Sequence, residues 1–89
     1  MRLNPEYRLK VVAGENMLLH VGRKTVNLAS VFSLNDSAAW LWRKIGRQDF
    51  TEEMLVGWLL DEYEVDESVA RIDVHEMVLL WHQYGMLLD

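Results

Sequence analysis

The chain has no cysteine, one proline and five glycines among its 89 residues. Because there is no cysteine, disulfide bonds, thiolate metal sites and cysteine nucleophiles are excluded. The first residues lack the apolar run of a signal peptide. No stretch approaches the roughly 18 apolar residues that a membrane span requires. A cytoplasmic protein with no membrane contact is therefore expected.

Basic residues are scarce in the second half of the chain. Residues 1–47 hold eight basic and three acidic side chains, a balance of +5, whereas residues 48–89 hold one basic and eleven acidic side chains, a balance of −10. A nucleic-acid-binding protein needs cations on the element that docks. The acidic second half therefore argues against a winged-helix protein that binds DNA. The basic first half either suits an acidic peptide or is an ordinary solvated surface.

Apolar residues are plentiful, at 51% of the chain, and four of them are tryptophans. This composition predicts a packed interior and not a disordered chain. A chain of this length has room for one modest core, so residues 1–89 are expected to form a single domain.

The first half is predicted to form a three-stranded antiparallel sheet. Tyr7–Val12 and 17–21 are short runs with apolar and β-branched residues, and the glycine and asparagine of residues 14–16 between them favour a β-hairpin. A third extended stretch lies within 25–34 and is predicted to end at 32–34. Residues 25–28 either continue this strand or form a bulged arm.

The second half is predicted to be helical, over residues 36–45, 52–63 and 67–84. The predicted N-caps are Asn35 or Asp36, Thr51, and Asp66. Gly46 and Gly85 are placed to end the first and third helices. The first helix is expected to bury Ala38, Leu41, Trp42 and Ile45, and the second Met54 or Leu55, Trp58, Leu59 and Tyr63. The apolar tail, residues 86–88, is expected to fold back on the core.

The third helix is apolar on two faces. At about 100° per residue, one face is the expected core stripe, made of Ala70, Val74, Met77, Val78, Trp81 and Tyr84. A second set, on the flank and far side, consists of Val69, Ile72, Leu79 and Leu80. A helix of this kind is either buried between two layers or presents one face to a partner.

No residue pattern indicates an enzyme, a metal site or a bound cofactor. His75 and His82 are two helical turns apart, roughly 10 Å, which is too far to share a metal ion. His20 has no metal-binding motif around it, and no catalytic triad or phosphate-binding glycine loop is present.

Two features are suited to binding. Trp40 points away from the inner face of the first helix, so it either packs on a neighbouring long side chain or anchors an interface. The predicted sheet also has open edges, to which an extended peptide can add as a fourth strand. The alternative is an edge that is covered by the chain's own tail or by a second copy of the chain.

Several short motifs occur in a particular order. They are Leu34-Asn35 followed by Ala38 and Leu41-Trp42, then Thr51-Glu52-Glu53, Leu59 through Tyr63 and Glu64-Val65-Asp66, and finally Asp73-Val74, Trp81, Gly85 and Leu87. This ordered set resembles the PqqD family of peptide-binding proteins, also called RiPP recognition elements. The resemblance runs from about Tyr7 to Leu88. The long first half is similar to family members outside the pyrroloquinoline quinone pathway.

The resemblance implies an α+β, winged-helix-like fold, with a three-stranded antiparallel sheet followed by three helices. It also implies a role without catalysis, in which the protein binds the leader part of a ribosomally made precursor peptide and presents it to a modifying enzyme, commonly a radical SAM enzyme. The leader is expected beside the third strand and against the third helix. The implied binding residues are Val31, Phe32, Ser33, Leu34, Ile72, His75, Leu79 and His82. The alternatives are a winged-helix nucleic-acid binder and a structural homodimer.

Overall fold

The computed structural model describes residues 1–21 and 31–88, with only the backbone of Val31. The strands are β1 (Arg2–Leu3), β2 (Tyr7–Val12), β3 (Glu15–His20), β4 (Val31–Leu34) and β5 (Leu87–Leu88). The helices are α1 (Asp36–Ile45), α2 (Glu52–Glu62) and α3 (Glu67–Gln83). The predicted α+β fold, a three-stranded sheet followed by three helices, is confirmed. The open question about residues 25–28 lies outside the described residues.

The hairpin β2–β3 turns through two residues, Ala13 and Gly14. Both have positive φ angles, 51° and 79°, and this is the backbone conformation that a tight two-residue hairpin turn requires. Glycine adopts this conformation at no steric cost, whereas Ala13 is strained. The strand β3 therefore begins at Glu15, two residues earlier than the sequence predicts.

The three-stranded sheet has the order β2-β3-β4, and both pairs are antiparallel. Leu18 lies opposite Leu9 on one side and Phe32 on the other. Leu18 is fully buried, and Leu9 and Phe32 are packed against the same core. Because successive side chains of a strand point to opposite faces of the sheet, Arg8 and Lys10 lie on the outer face and are exposed. The sheet therefore covers the helices with one face only.

Local capping chemistry sets the starts of the first two helices. The Asn35 side chain accepts a hydrogen bond of 2.8 Å from the Ala38 backbone N–H, which identifies Asn35 and not Asp36 as the N-cap of α1. Thr51 caps α2 in the same way, through a bond from Met54 N–H. Asp66 precedes α3, but its side chain makes no capping hydrogen bond. The predicted cap of α3 is therefore correct in position only.

The core lies between the sheet and the three helices. Trp81 of α3 meets Trp42 of α1 edge to face, with ring centroids 5.1 Å apart. The buried face of α1 is the predicted one. In α2, Leu55 and Val56 are the buried residues. Tyr63, which was predicted to be buried, follows the end of the helix and is exposed. Tyr84, predicted to be in the core stripe of α3, is also 45% exposed, because the helix ends there and the chain turns away at Gly85.

The two ends of the chain pair with each other. Arg2 and Leu3 lie opposite Leu88 and Leu87 in the short sheet β1–β5. Met86 and Leu87 are buried in the core, which confirms that the tail folds back. The pairing itself was not predicted, because strands of two residues carry no readable periodicity. The tail thus pairs with β1 and not with β4.

Candidate functional site

The outer edge of β4 lies next to α3. The Val21 N–H donates to the Glu6 carbonyl at 2.7 Å, so odd-numbered residues of β3 direct their backbone groups toward β2. Since these directions alternate along an antiparallel strand, Asn16 and Leu18 bond to β4, opposite Leu34 and Phe32. The backbone N–H and C=O groups of Val31 and Ser33 therefore point away from the sheet.

No other strand pairs with this edge in the part of the chain that the structure describes. The β5 tail, which was the internal candidate for covering it, pairs with β1 instead. Four backbone groups, two on Val31 and two on Ser33, are thus directed outward. This is the row of donors and acceptors that a further strand needs.

A groove of about 670 Å³ runs along this edge between β4 and α3. Ser33 and Leu34 form its strand side, and α1 closes one part of it with Asn35 and Ser37. The helical side and the floor are mostly apolar, formed by Leu41, Leu59, Tyr63, Val65, Ala70, Val74, Met77, Leu80 and Trp81. Two carboxylates, Asp73 and Glu76, also line it. The groove therefore combines an open strand edge with an apolar wall.

The opposite flank of α3 contacts α2 through an ion pair and a histidine–carboxylate contact. Arg71 donates to Glu53, and His75 Nδ1 lies 2.9 Å from Glu52 Oε1. The hydrogen bond and the charge of Arg71 lower the pKa of the Glu53 carboxyl. The burial of Val74 and Trp81 in the core sets the rotation of α3 about its axis, and these surface contacts are compatible with it. As a result, the flank with Asp73, Met77 and Leu80 faces the groove.

The predicted strand residues lie at this site. Ser33 and Leu34 line the groove, and the backbone of Val31 is on its open edge. Phe32 turns to the core side, where its ring lies 4.8 Å from that of Tyr84. Of the four predicted strand residues, Val31, Ser33 and Leu34 thus lie at the groove, whereas Phe32 packs on the core side.

The predicted helix residues are Ile72, His75, Leu79 and His82. All four are exposed, but none of them lines the groove. Ile72 and Leu79 lie on the solvent face of α3, 58% and 55% exposed, and His75 lies on the side of α2. Val69 and Leu80 are also about half exposed, so α3 is not buried between two layers.

Sequence reasoning missed the groove residues Asp73, Glu76, Met77 and Leu80. Asp73, Glu76 and Leu80 each lie one position after a predicted residue, and so about 100° further around the helix. The signal that identifies the correct flank is the charge pattern of α2. Its first turn carries Glu52 and Glu53, whose natural partners on α3 are Arg71 and His75. The flank with these two bases must therefore face α2.

Trp40 of α1 belongs to an aromatic cluster that adjoins the groove through Tyr63, at the end of α2. The Trp40 and Tyr63 rings pack edge to face, with centroids 5.7 Å apart. The Lys44 ammonium lies 5.5 Å from the Trp40 ring centroid and 5.2 Å from that of Trp58, within cation–π range. Of the two interpretations of Trp40, packing on a neighbouring long side chain is the one observed.

Among residues 1–21 and 31–88, no group of three His, Asp or Glu side chains is placed to hold a metal ion. Within the same ranges, no helix has both the length and the apolar character needed to cross a bilayer.

Comparison with known proteins agrees with this geometry. The family model described as coenzyme PQQ synthesis protein D (PqqD) matches residues 15–87, which is most of the chain. The chain belongs to the PqqD family. The match spans β3, β4, all three helices and the start of β5, and therefore every wall of the groove. No curated protein sequence matches this PqqD-family chain.

Two solved structures are similar to this PqqD-family protein over nearly their whole length. One is "Lasso peptide synthetase B1 complexed with the leader peptide", with a TM-score of 0.72 and 25% identity, covering 99% of this chain and 96% of the other. The second is "TbiB1 in Complex with the TbiA(beta) Leader Peptide", with a TM-score of 0.71, 19% identity and full coverage of both chains. The second supports the fold alone.

Proposed function

We propose that this protein binds the leader segment of a ribosomally made precursor peptide as an added strand beside β4. The observation that carries the proposal is the outward direction of the Val31 and Ser33 backbone groups next to the apolar groove. The similarity to a leader-bound lasso peptide synthetase B1 protein supports it independently.

The free energies of the separate contacts explain why peptide binding needs both the strand edge and the groove. Four backbone hydrogen bonds contribute roughly 2 to 6 kcal/mol in total. Micromolar binding corresponds to about 8 kcal/mol, after the cost of ordering the peptide has been met. Burial of apolar side chains must supply the difference. Leu80, 54% exposed, and the half-buried Met77 offer the surface for it.

The bound peptide is presented to an enzyme that modifies it, and a radical SAM enzyme is the class that the family resemblance implies. The protein's own part is to hold the peptide in an extended conformation. Val31 and Ser33 supply the strand edge, Leu34 lines the groove beside them, and Asp73, Met77 and Leu80 form the helix wall. Ile72, His75, Leu79 and His82 contact the peptide only where it continues beyond the groove over α3.

The test begins with a peptide ligand that the protein itself selects from a random library. Phage-displayed peptides of 12 random residues are panned on the immobilised protein, and the most enriched peptide is synthesised. Amide hydrogen exchange by NMR then follows the protein with and without this peptide. We expect the Ser33 N–H to exchange rapidly in the free protein and to become protected on binding, since it then donates to the peptide backbone.

Two results would contradict the proposal. Protection that appears elsewhere, such as along the outer edge of β2, would place the peptide outside the groove. A Ser33 N–H that is already protected in the free protein, with light scattering showing twice the monomer mass, would instead favour a homodimer that pairs through this edge.

A further inference from the structure

The groove carries two carboxylates that the fold does not use. Asp73 and Glu76, three residues apart on α3, both line the groove and are exposed. Neither forms a hydrogen bond or an ion pair with any residue that the structure describes. The acids of α2 that face the other flank of α3 are different, because Glu52 and Glu53 contact His75 and Arg71.

Further negative charge surrounds one end of the groove. Val65, which lines it, lies between Glu64 and Asp66 in the exposed connection from α2 to α3. Over residues 61–76 there are seven acidic side chains and one arginine, a balance of −6. No lysine or arginine is among the residues that line the groove. Glu64 and Asp66, on either side of Val65, therefore add to the negative charge of Asp73 and Glu76 at this end of the groove.

The direction of β4 shows which part of a bound strand meets this charge. Phe32, early in β4, contacts Tyr84 at the end of α3, whereas Asn35, just after β4, shares the groove with Ala70 near the start of α3. The acidic end therefore lies beyond the carboxyl end of β4. A strand that continues the antiparallel order of this sheet runs the opposite way. Its amino-terminal residues then lie at the acidic end.

From this geometry we infer that the groove selects peptides with a lysine or arginine on the amino-terminal side of the segment that pairs with β4. Asp73 and Glu76 are the specificity-determining residues, and apolar side chains of the peptide fill the space beside Met77 and Leu80. The inference rests on the proposed function and adds the chemical class of the leader to it. The charged contact selects among peptides, while the strand edge and the apolar wall bind all of them.

The panning experiment tests this directly, because its library is random at every position. We expect the enriched peptides to carry Lys or Arg before an alternating apolar segment. In fluorescence anisotropy with the selected peptide, the Asp73→Asn/Glu76→Gln double variant should bind about 3- to 30-fold more weakly. The control is Glu15→Gln/Asp49→Asn, which removes the same two charges from positions outside the groove and should bind normally.

The outcomes separate this inference from the proposed function. Enriched peptides without basic residues, or equal affinity for the wild type and the Asp73→Asn/Glu76→Gln variant, would refute the charge selectivity. Protection of the Ser33 N–H in the same samples would leave the added strand in place. A peptide that binds without protecting Ser33 would refute the proposed function, and the selectivity with it.

Discussion

The Ser33→Pro substitution should weaken peptide binding while leaving the fold intact. The Ser33 N–H points away from β3, so Ser33→Pro removes no hydrogen bond of the β3–β4 ladder. It does remove one bond to the peptide, and it leaves a peptide carbonyl without a donor in a partly dry groove. The lost bond and the unpaired carbonyl together cost about 1 to 3 kcal/mol. The dissociation constant should therefore rise about 5- to 150-fold.

Val11→Pro is the matched control, because Val11 lies on the opposite edge of the same sheet. Its backbone N–H also points outward, since the bonds to β3 come from the even-numbered residues of β2. Val11 is 60% exposed and distant from the groove. Anisotropy with the selected peptide gives the affinities, and circular dichroism checks the fold of both variants. A folded Ser33→Pro protein that binds like the wild type would refute pairing at β4.

Three further predictions concern stability. Leu18→Ala should cost about 2 to 5 kcal/mol in chemical denaturation, because Leu18 is fully buried at the centre of the sheet; a loss below 1 kcal/mol would contradict this. Thr51→Ala removes the N-cap of α2 and should lower Tm by about 4 to 8 °C; an unchanged Tm would show that the cap is not needed. Arg71 holds the pKa of Glu53 below its ordinary 4.5, so this pair stabilises the fold above that pH and the stabilisation is lost on acidification. Between about pH 6 and pH 3, Glu53→Gln should lose less Tm than the wild type, and an equal loss would refute the linkage.

The sequence predicts those parts of the fold that depend on local chemistry. The cap at Thr51 and the buried face of α1 follow from neighbouring residues alone, and both are confirmed. The same is true of the strand Tyr7–Val12. The pairing of Leu3 with Leu87 joins opposite ends of the chain through two-residue strands, so no local pattern indicates it.

The helix side of the groove was harder to predict, for a geometric reason. A stripe at spacings of three and four residues identifies a helix face, but it does not say which neighbour that face meets. That depends on the rotation of α3 about its axis, which a shift of one residue changes by about 100°. The strand side carries no such ambiguity, because β4 has only two edges and β3 occupies one of them.

The helix α3 has a core face, a flank on α2 and a flank on the groove, and together they explain how a small protein keeps an apolar groove open. Val74 and Trp81 anchor one face in the core, and Arg71 pins the adjacent flank to α2. A rotation of the remaining flank inward to bury Leu80 would withdraw Val74 and Trp81 from the core. Its exposure is thus imposed by the packing. Since the wall is held in place before a peptide arrives, little of the binding free energy is spent on ordering the protein.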